Sequence, residues 1–211
     1  MYNLVHRAID LLREKHNPHT MILYGSYARR EATESSDIDI ACFIDDAIAS
    51  QQTYLVENVQ VDAWIYPSIS LDDIPNSSLR FADGLAVLDT RGLGATYIER
   101  VKEKLKRGPD KLSEPEFAAM TAWVGKMLRR AQSRDMDGSY RRTWLQFELL
   151  EIYFKARGLW FLGHKKSFSY LARHDPEALS LFHAVYQDPG NMTMLERLAE
   201  HVLSLTTSSG S

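Results

Sequence analysis

The sequence predicts an α+β protein, with a mixed domain over residues 1–108 followed by an all-α helical bundle over residues 109–211. Three observations lead there. Short runs of strand formers bounded by turn residues occupy residues 20–90. From Gly92 onward, apolar residues recur three and four apart, the period of a helix. Between the two textures, Gly108-Pro109 is a break that neither a helix nor a strand tolerates, so it reads as the linker.

Each element has its own warrant. Residues 2–15 make an amphipathic helix through Leu4, Ile9, Leu11 and Leu12, stopped by Asn17-Pro18. Met21-Ile-Leu-Tyr24 is a short apolar strand, Gly25-Ser26 a corner, and Tyr27 to about Ala32 a short helix. Asp37 to Ile44 reads as a strand and the stretch after it as a loop. Val59 to Tyr66 is a second strand, ended by Pro67, and Leu85 to Leu88 another after the Asp83-Gly84 turn. In the second half, residues 95–106, 114–134, 139–158, 176–187 and 191–205 read as helices. Thr206–Ser211 reads as a frayed tail.

Composition narrows the function classes. A single cysteine, Cys42, leaves no intramolecular disulfide and favours a reducing, cytoplasmic setting. No secretory signal, bilayer-spanning run or membrane partner is expected. The net charge of −3 argues against a large nucleic-acid footprint, so a template nucleic acid is not expected. That balance hides an asymmetry. Residues 1–66 hold ten Asp/Glu against five Lys/Arg, and residues 126–166 hold ten Lys/Arg against four Asp/Glu. These are either two solvated faces or the metal side and phosphate side of one chemistry.

The stretch Gly25-Ser-Tyr-Ala-Arg-Arg-Glu-Ala-Thr-Glu-Ser-Ser-Asp-Ile-Asp-Ile40 concentrates the chemistry. Strand side chains alternate, so Asp37 and Asp39 share one face while Ile38 and Ile40 point to the core. Two like charges that close need a cation between them, and carboxylate oxygens suit Mg²⁺. The plain alternative is a polar strand face in water. The Gly25-Ser26 corner adds a backbone that can approach a phosphate and a hydroxyl donor. Asp62, flanked by Val61 and Ala63, is poorly explained as surface decoration. If its strand pairs beside the Asp37–Asp39 strand, it completes a three-carboxylate site.

An apolar residue, Gly25-Ser26, then Asp37-Ile-Asp39-Ile, then Val61-Asp62-Ala63 resembles the nucleotidyltransferase superfamily related to DNA polymerase β. The Gly25-Ser-Tyr-Ala-Arg29 run is similar to its small bacterial members, including minimal and aminoglycoside nucleotidyltransferases. Relatives usually continue with glycine; this chain has Arg30. The resemblance implies a small mixed sheet with helices on one face. It also implies transfer of a nucleoside monophosphate from an NTP, ATP by expectation, to a small-molecule hydroxyl, with pyrophosphate released. Asp37, Asp39 and Asp62 would be catalytic and would bind two Mg²⁺ ions; Gly25, Ser26 and Arg29 would bind the nucleotide. Asp62 or a helical-domain glutamate would be the general base. Two other readings stand beside this one: nucleotidylation of a protein, as in toxin–antitoxin pairs, and non-catalytic nucleotide binding.

In the helical half, Leu145, Leu149, Ile152, Ala156 and Leu159 form an apolar stripe flanked by Glu148, Glu151 and Lys155. That flank is either a solvated edge or the acceptor side of a cleft, with Glu148 or Glu151 orienting the acceptor. Arg129, Arg130, Arg141, Arg142, Lys165 and Lys166 are solubility charges or triphosphate ligands, with Lys165 and Lys166 placed in a loop after Gly163-His164. Trp144, Phe147, Tyr153, Phe154, Trp160 and Phe161 read as core. His164, His174 and His183 lack zinc-ligand spacing. Oligomeric state is open.

Overall fold

A computed structural model describes residues 2–204, so the Thr206–Ser211 tail lies outside the described residues. The chain forms two compact units, one ending at Arg107 and the other beginning at Gly108. Gly108 takes φ +80, which glycine adopts without penalty, and this turns the chain out of the last helix of the first unit.

The first unit is built on a five-stranded mixed sheet of order β3-β4-β2-β1-β5. Its strands are β1 (Thr20–Tyr24), β2 (Ile38–Ile44), β3 (Ser50–Val56), β4 (Val59–Pro67) and β5 (Leu85–Asp89). β1 pairs antiparallel with both β2 and β5, β2 runs parallel to β4, and β3 hairpins back antiparallel onto β4. β2 sits centrally, and Ile38, Ile40 and Cys42 on it are completely buried. They share a core with Val61, Ala63, Met21 and Leu23, and with Ala8 and Leu12 of helix α1 (Tyr2–His16).

The opposite face is aromatic. Phe43 stacks on Tyr66 at 5.5 Å, and Tyr24 meets Phe81 edge-on at 4.9 Å. Phe81 belongs to a 3-10 turn, Asn76–Phe81, and Tyr97 comes from helix α3 (Leu93–Arg107). The Tyr97 and Ser78 hydroxyls, 2.7 Å apart, tie these two elements. The N–H groups of Gly94 and Ala95 donate to Asp89, satisfying the orphan donors at the start of α3.

Two expectations for this unit need correction. Residues 50–56 form β3 rather than a loop. An edge strand is paired on one side only, and Ser50-Gln51-Gln52 lacks the alternation that marks a half-buried strand. The short helix, α2, spans Gly25–Ala28 rather than residues 27–32. It ends because Arg30 turns left-handed at φ 62, and the Glu31 N–H then donates to the Ser26 carbonyl.

Among the described residues, the regular elements of the second unit are helices: α4 (Glu114–Ala131), α5 (Met136–Ala156), α6 (His164–His174), α7 (Pro176–Gln187) and α8 (Met192–Leu203). Caps set the boundaries. The Asp135 carboxylate accepts from Gly138, Asp175 from Ala178, and Asn191 from Met194. Leu145, Leu149, Leu171, Phe182, Leu195 and Leu198 are fully buried at the centre. Tyr153 and Phe154 join this core. Trp144 and Phe161 are each 37% exposed and Phe147 is 68% exposed, which corrects the expectation for those three. α5 presents both a buried stripe and an exposed aromatic one, so spacing alone did not separate them. α6 was not foreseen either; residues 164–174 are helical, which places Lys165 and Lys166 in its first turn rather than in a loop.

Candidate active site

Three carboxylates converge at one end of the central strands. Asp39 and Asp62 are register partners across the parallel β2–β4 pair, so their side chains leave the same face of the sheet. Asp37 immediately precedes β2. One oxygen from each of Asp37, Asp39 and Asp62 lies within 4.8 Å of the others. This alternation along β2 buries Ile38 and Ile40 while turning the acids outward.

The Gly25 backbone packs directly against this cluster. A Cβ added there would lie 2.3 Å from Asp39 Oδ2, and Gly25 holds φ +73. Both facts require glycine. The close approach brings Ser26 and the single helical turn of α2 beside the acids.

Electrostatics at the cluster are unbalanced. The Asp39 carboxyl is pushed up to about 6, first by burial and then by the charges of Asp37 and Asp62; Arg80 and Arg29 oppose the shift. Such a site takes a proton or a cation. Oxygen donors alone, converging from three carboxylates, fit a hard divalent ion such as Mg²⁺. Asp62 is also oriented from its own sheet. Its Oδ1 accepts from Thr53 Oγ1 and from Gln60 Nε2, each at 3.0 Å, which leaves the other oxygen for a ligand.

Residues 7–78 match the family described as polymerase beta, nucleotidyltransferase. The matched stretch, residues 7–78, is a nucleotidyltransferase-like domain of the polymerase β type. No curated protein matches the chain. A nucleotidyltransferase-like protein from Exiguobacterium sibiricum is similar in structure, with 14% identity and a TM-score of 0.43, over 94% of this chain and 74% of that one. Strands β1 to β4, the Gly25 corner and the three acids all fall within the matched residues.

The remaining expected residues are spread over both units. In the nucleotidyltransferase domain, Arg29 donates through Nε to Glu31 at 2.8 Å, so part of its guanidinium is already engaged. In the helical unit, Glu148 accepts from Trp144 Nε1 at 3.0 Å. Glu148, Glu151 and Lys155 line a groove of about 400 Å³ with Glu116, Met120 and Trp123. Arg142 donates to the carbonyls of Ala131 and Ser133 and to Ser139 Oγ, closing the α4–α5 connection; this makes it a structural cation.

Sequence reasoning missed Arg80. Its guanidinium lies over Trp64 at 4.8 Å, Phe81 at 5.0 Å, Tyr24 at 5.5 Å and Tyr66 at 6.0 Å, on the face of the sheet that carries the acids. One signal was available: Arg80 is the sole Lys or Arg between Arg30 and Arg91, in a stretch holding twelve Asp/Glu.

Proposed function

We propose that the protein transfers a nucleoside monophosphate, AMP by expectation, from an NTP to the hydroxyl of a small-molecule acceptor and releases pyrophosphate. The observation that carries this reading is the convergence of Asp37, Asp39 and Asp62 beside the Gly25 backbone. Two bound Mg²⁺ ions would neutralise charge on the phosphate oxygens during transfer.

The chain's own residues set the stage for that chemistry. Asp37 and Asp39 hold the metal side of the site, and Asp62 contributes its free oxygen to the metal or to the acceptor hydroxyl's proton. Gly25 and Ser26 receive a phosphate through close backbone approach and a hydroxyl donor. Thr53 and Gln60 keep Asp62 in a single orientation. In the helical unit, Glu148 and Glu151 are the acceptor-side candidates, and Lys165 and Lys166 the phosphate-side candidates. The one buried thiol, Cys42, suits a cytoplasmic setting.

The test is incubation with each labelled NTP and Mg²⁺ across a panel of aminoglycosides, lincosamides and lysate protein, following both pyrophosphate release and the label. Label transferred to a small molecule supports the reading. Label on protein replaces the acceptor class. No release under any condition, with Asp39→Ala indistinguishable from the native chain, removes the reading.

A further inference from the structure

We propose that Arg80 is a binding residue for the nucleotide's polyphosphate, held in advance by an aromatic cage next to the three carboxylates. This rests on the transferase reading above.

The placement follows from the register. Tyr24 is the cross-strand partner of Asp39, and Trp64 is the second residue after Asp62, on the same face of β4. A guanidinium over both rings therefore lies immediately beside the acid cluster.

The cage uses the cation without consuming it. Cation–π contacts engage the flat faces of a guanidinium, whereas hydrogen bonds use its edge. On that edge, Arg80 Nη2 donates to the Tyr66 hydroxyl, and Nε is buried with no partner. Among the described residues, no carboxylate forms an ion pair with Arg80. Arg29 and Arg91 behave otherwise: Arg29 is paired to Glu31, and Arg91 is paired to Asp45. A guanidinium set among four rings, with donors left on its Nη groups and beside carboxylates that call for metal, suits the oxygens of a phosphate. The polyphosphate would then be held between bound metal on one side and Arg80 on the other.

The probe is inorganic pyrophosphate with Mg²⁺, measured by calorimetry on the full chain, without acceptor and without turnover. Arg80→Met should weaken binding roughly 10- to 100-fold, the loss expected for a charge-assisted hydrogen-bond pair. Arg80→Lys should fall between, because it keeps the charge and loses the fork. In turnover, the KM for the NTP should rise more than kcat falls. Circular dichroism and Tm report folding; should Arg80→Met unfold, Arg80→Lys decides alone. No binding by the native chain, or equal binding by a folded Arg80 variant, overturns the proposal. Arg80-dependent pyrophosphate binding in a protein that never turns over an NTP would remove the transferase reading instead. Turnover lost in Asp39→Asn, with pyrophosphate binding unchanged in Arg80→Met, would remove only this one.

Discussion

The two ends of the same sheet treat their carboxylates in opposite ways. At the C-terminal end of β2, Asp45 accepts from both Nη groups of Arg91 at 2.6 Å and from the Ser68 hydroxyl at 2.9 Å. These partners hold its carboxyl well below the ordinary range. His19, nearly buried, completes the network with Nε2 2.6 Å from Ser68 Oγ, and a cleft of about 640 Å³ opens beside it. At the N-terminal end, Asp39 has two acids as near neighbours and is pushed the other way, to about 6. A carboxylate supplied with its own cation is finished as a structural element. A cluster left short of positive charge is complete only with something from outside the chain. The roomy cleft belongs to the finished end, so cavity size alone points away from the chemistry.

That contrast can be broken most directly at the acids themselves. Asp39→Asn should lower pyrophosphate release by about a thousandfold or more, as expected when a directly acting group is lost. Asp45→Asn should leave release within about threefold of native, well below the ~100-fold cost of removing one essential contact, while lowering Tm. Equal losses at both positions would end the distinction.

Next in size is Gly25→Ala. Its methyl group would collide with Asp39 Oδ2 and would sit on a backbone at φ +73. We expect roughly a hundredfold loss of release, since small misplacements at a reacting centre cost about that much. The corresponding Gly92→Ala shares the positive φ but meets nothing within 4 Å, so it should cost stability only.

The third prediction concerns pH and metal. A carboxyl whose folded value is about 6 against an ordinary 3.8 favours the fold when protonated. Its contribution is complete below the ordinary value and is lost as pH rises through about 6. Without divalent ions, Tm of the native chain should therefore fall across that window, and Asp39→Asn should flatten the fall. Saturating Mg²⁺ at pH 7.5 should raise native Tm by about 5 °C and leave Asp39→Asn nearly unmoved. The Asp45 end should not respond to Mg²⁺, and a shift that survives in Asp39→Asn would place the ion elsewhere.

The smallest effect is at Arg30. It occupies a left-handed conformation, φ 62, which glycine adopts without penalty. Arg30→Gly should stabilise the chain by about 1 kcal/mol, seen as a Tm gain of roughly 3 °C, with release unchanged. A fall in release would give Arg30 a role in the site.

Much of the acid end is legible in the sequence. Asp37 and Asp39 alternate with apolar residues, and a strand has only two faces, so their direction follows from spacing. Asp62 stands out because Val61 and Ala63 around it must be buried. Arg80 was hidden for the converse reason. Its cage draws Tyr24 from β1, Trp64 and Tyr66 from β4 and Phe81 from a 3-10 turn, and no local pattern records that these rings meet. β3 was hidden because an edge strand need not alternate. The exposed stripe of α5 was hidden because aromatic residues at helical spacing look the same whether covered or bare.

By itself, then, the sequence determined the α+β class, the shared direction of Asp37 and Asp39, and a corner at Gly25-Ser26. Each of these depends on local geometry: the period of a strand or a helix, or the backbone freedom of one residue. Only the tertiary structure decided that β4 lies parallel to β2 with Asp62 opposite Asp39, that Thr53 and Gln60 brace it, and that Arg80 lies over the rings beside the acids. Those facts depend on which strands become neighbours, and that is settled by burying both faces of the sheet at once.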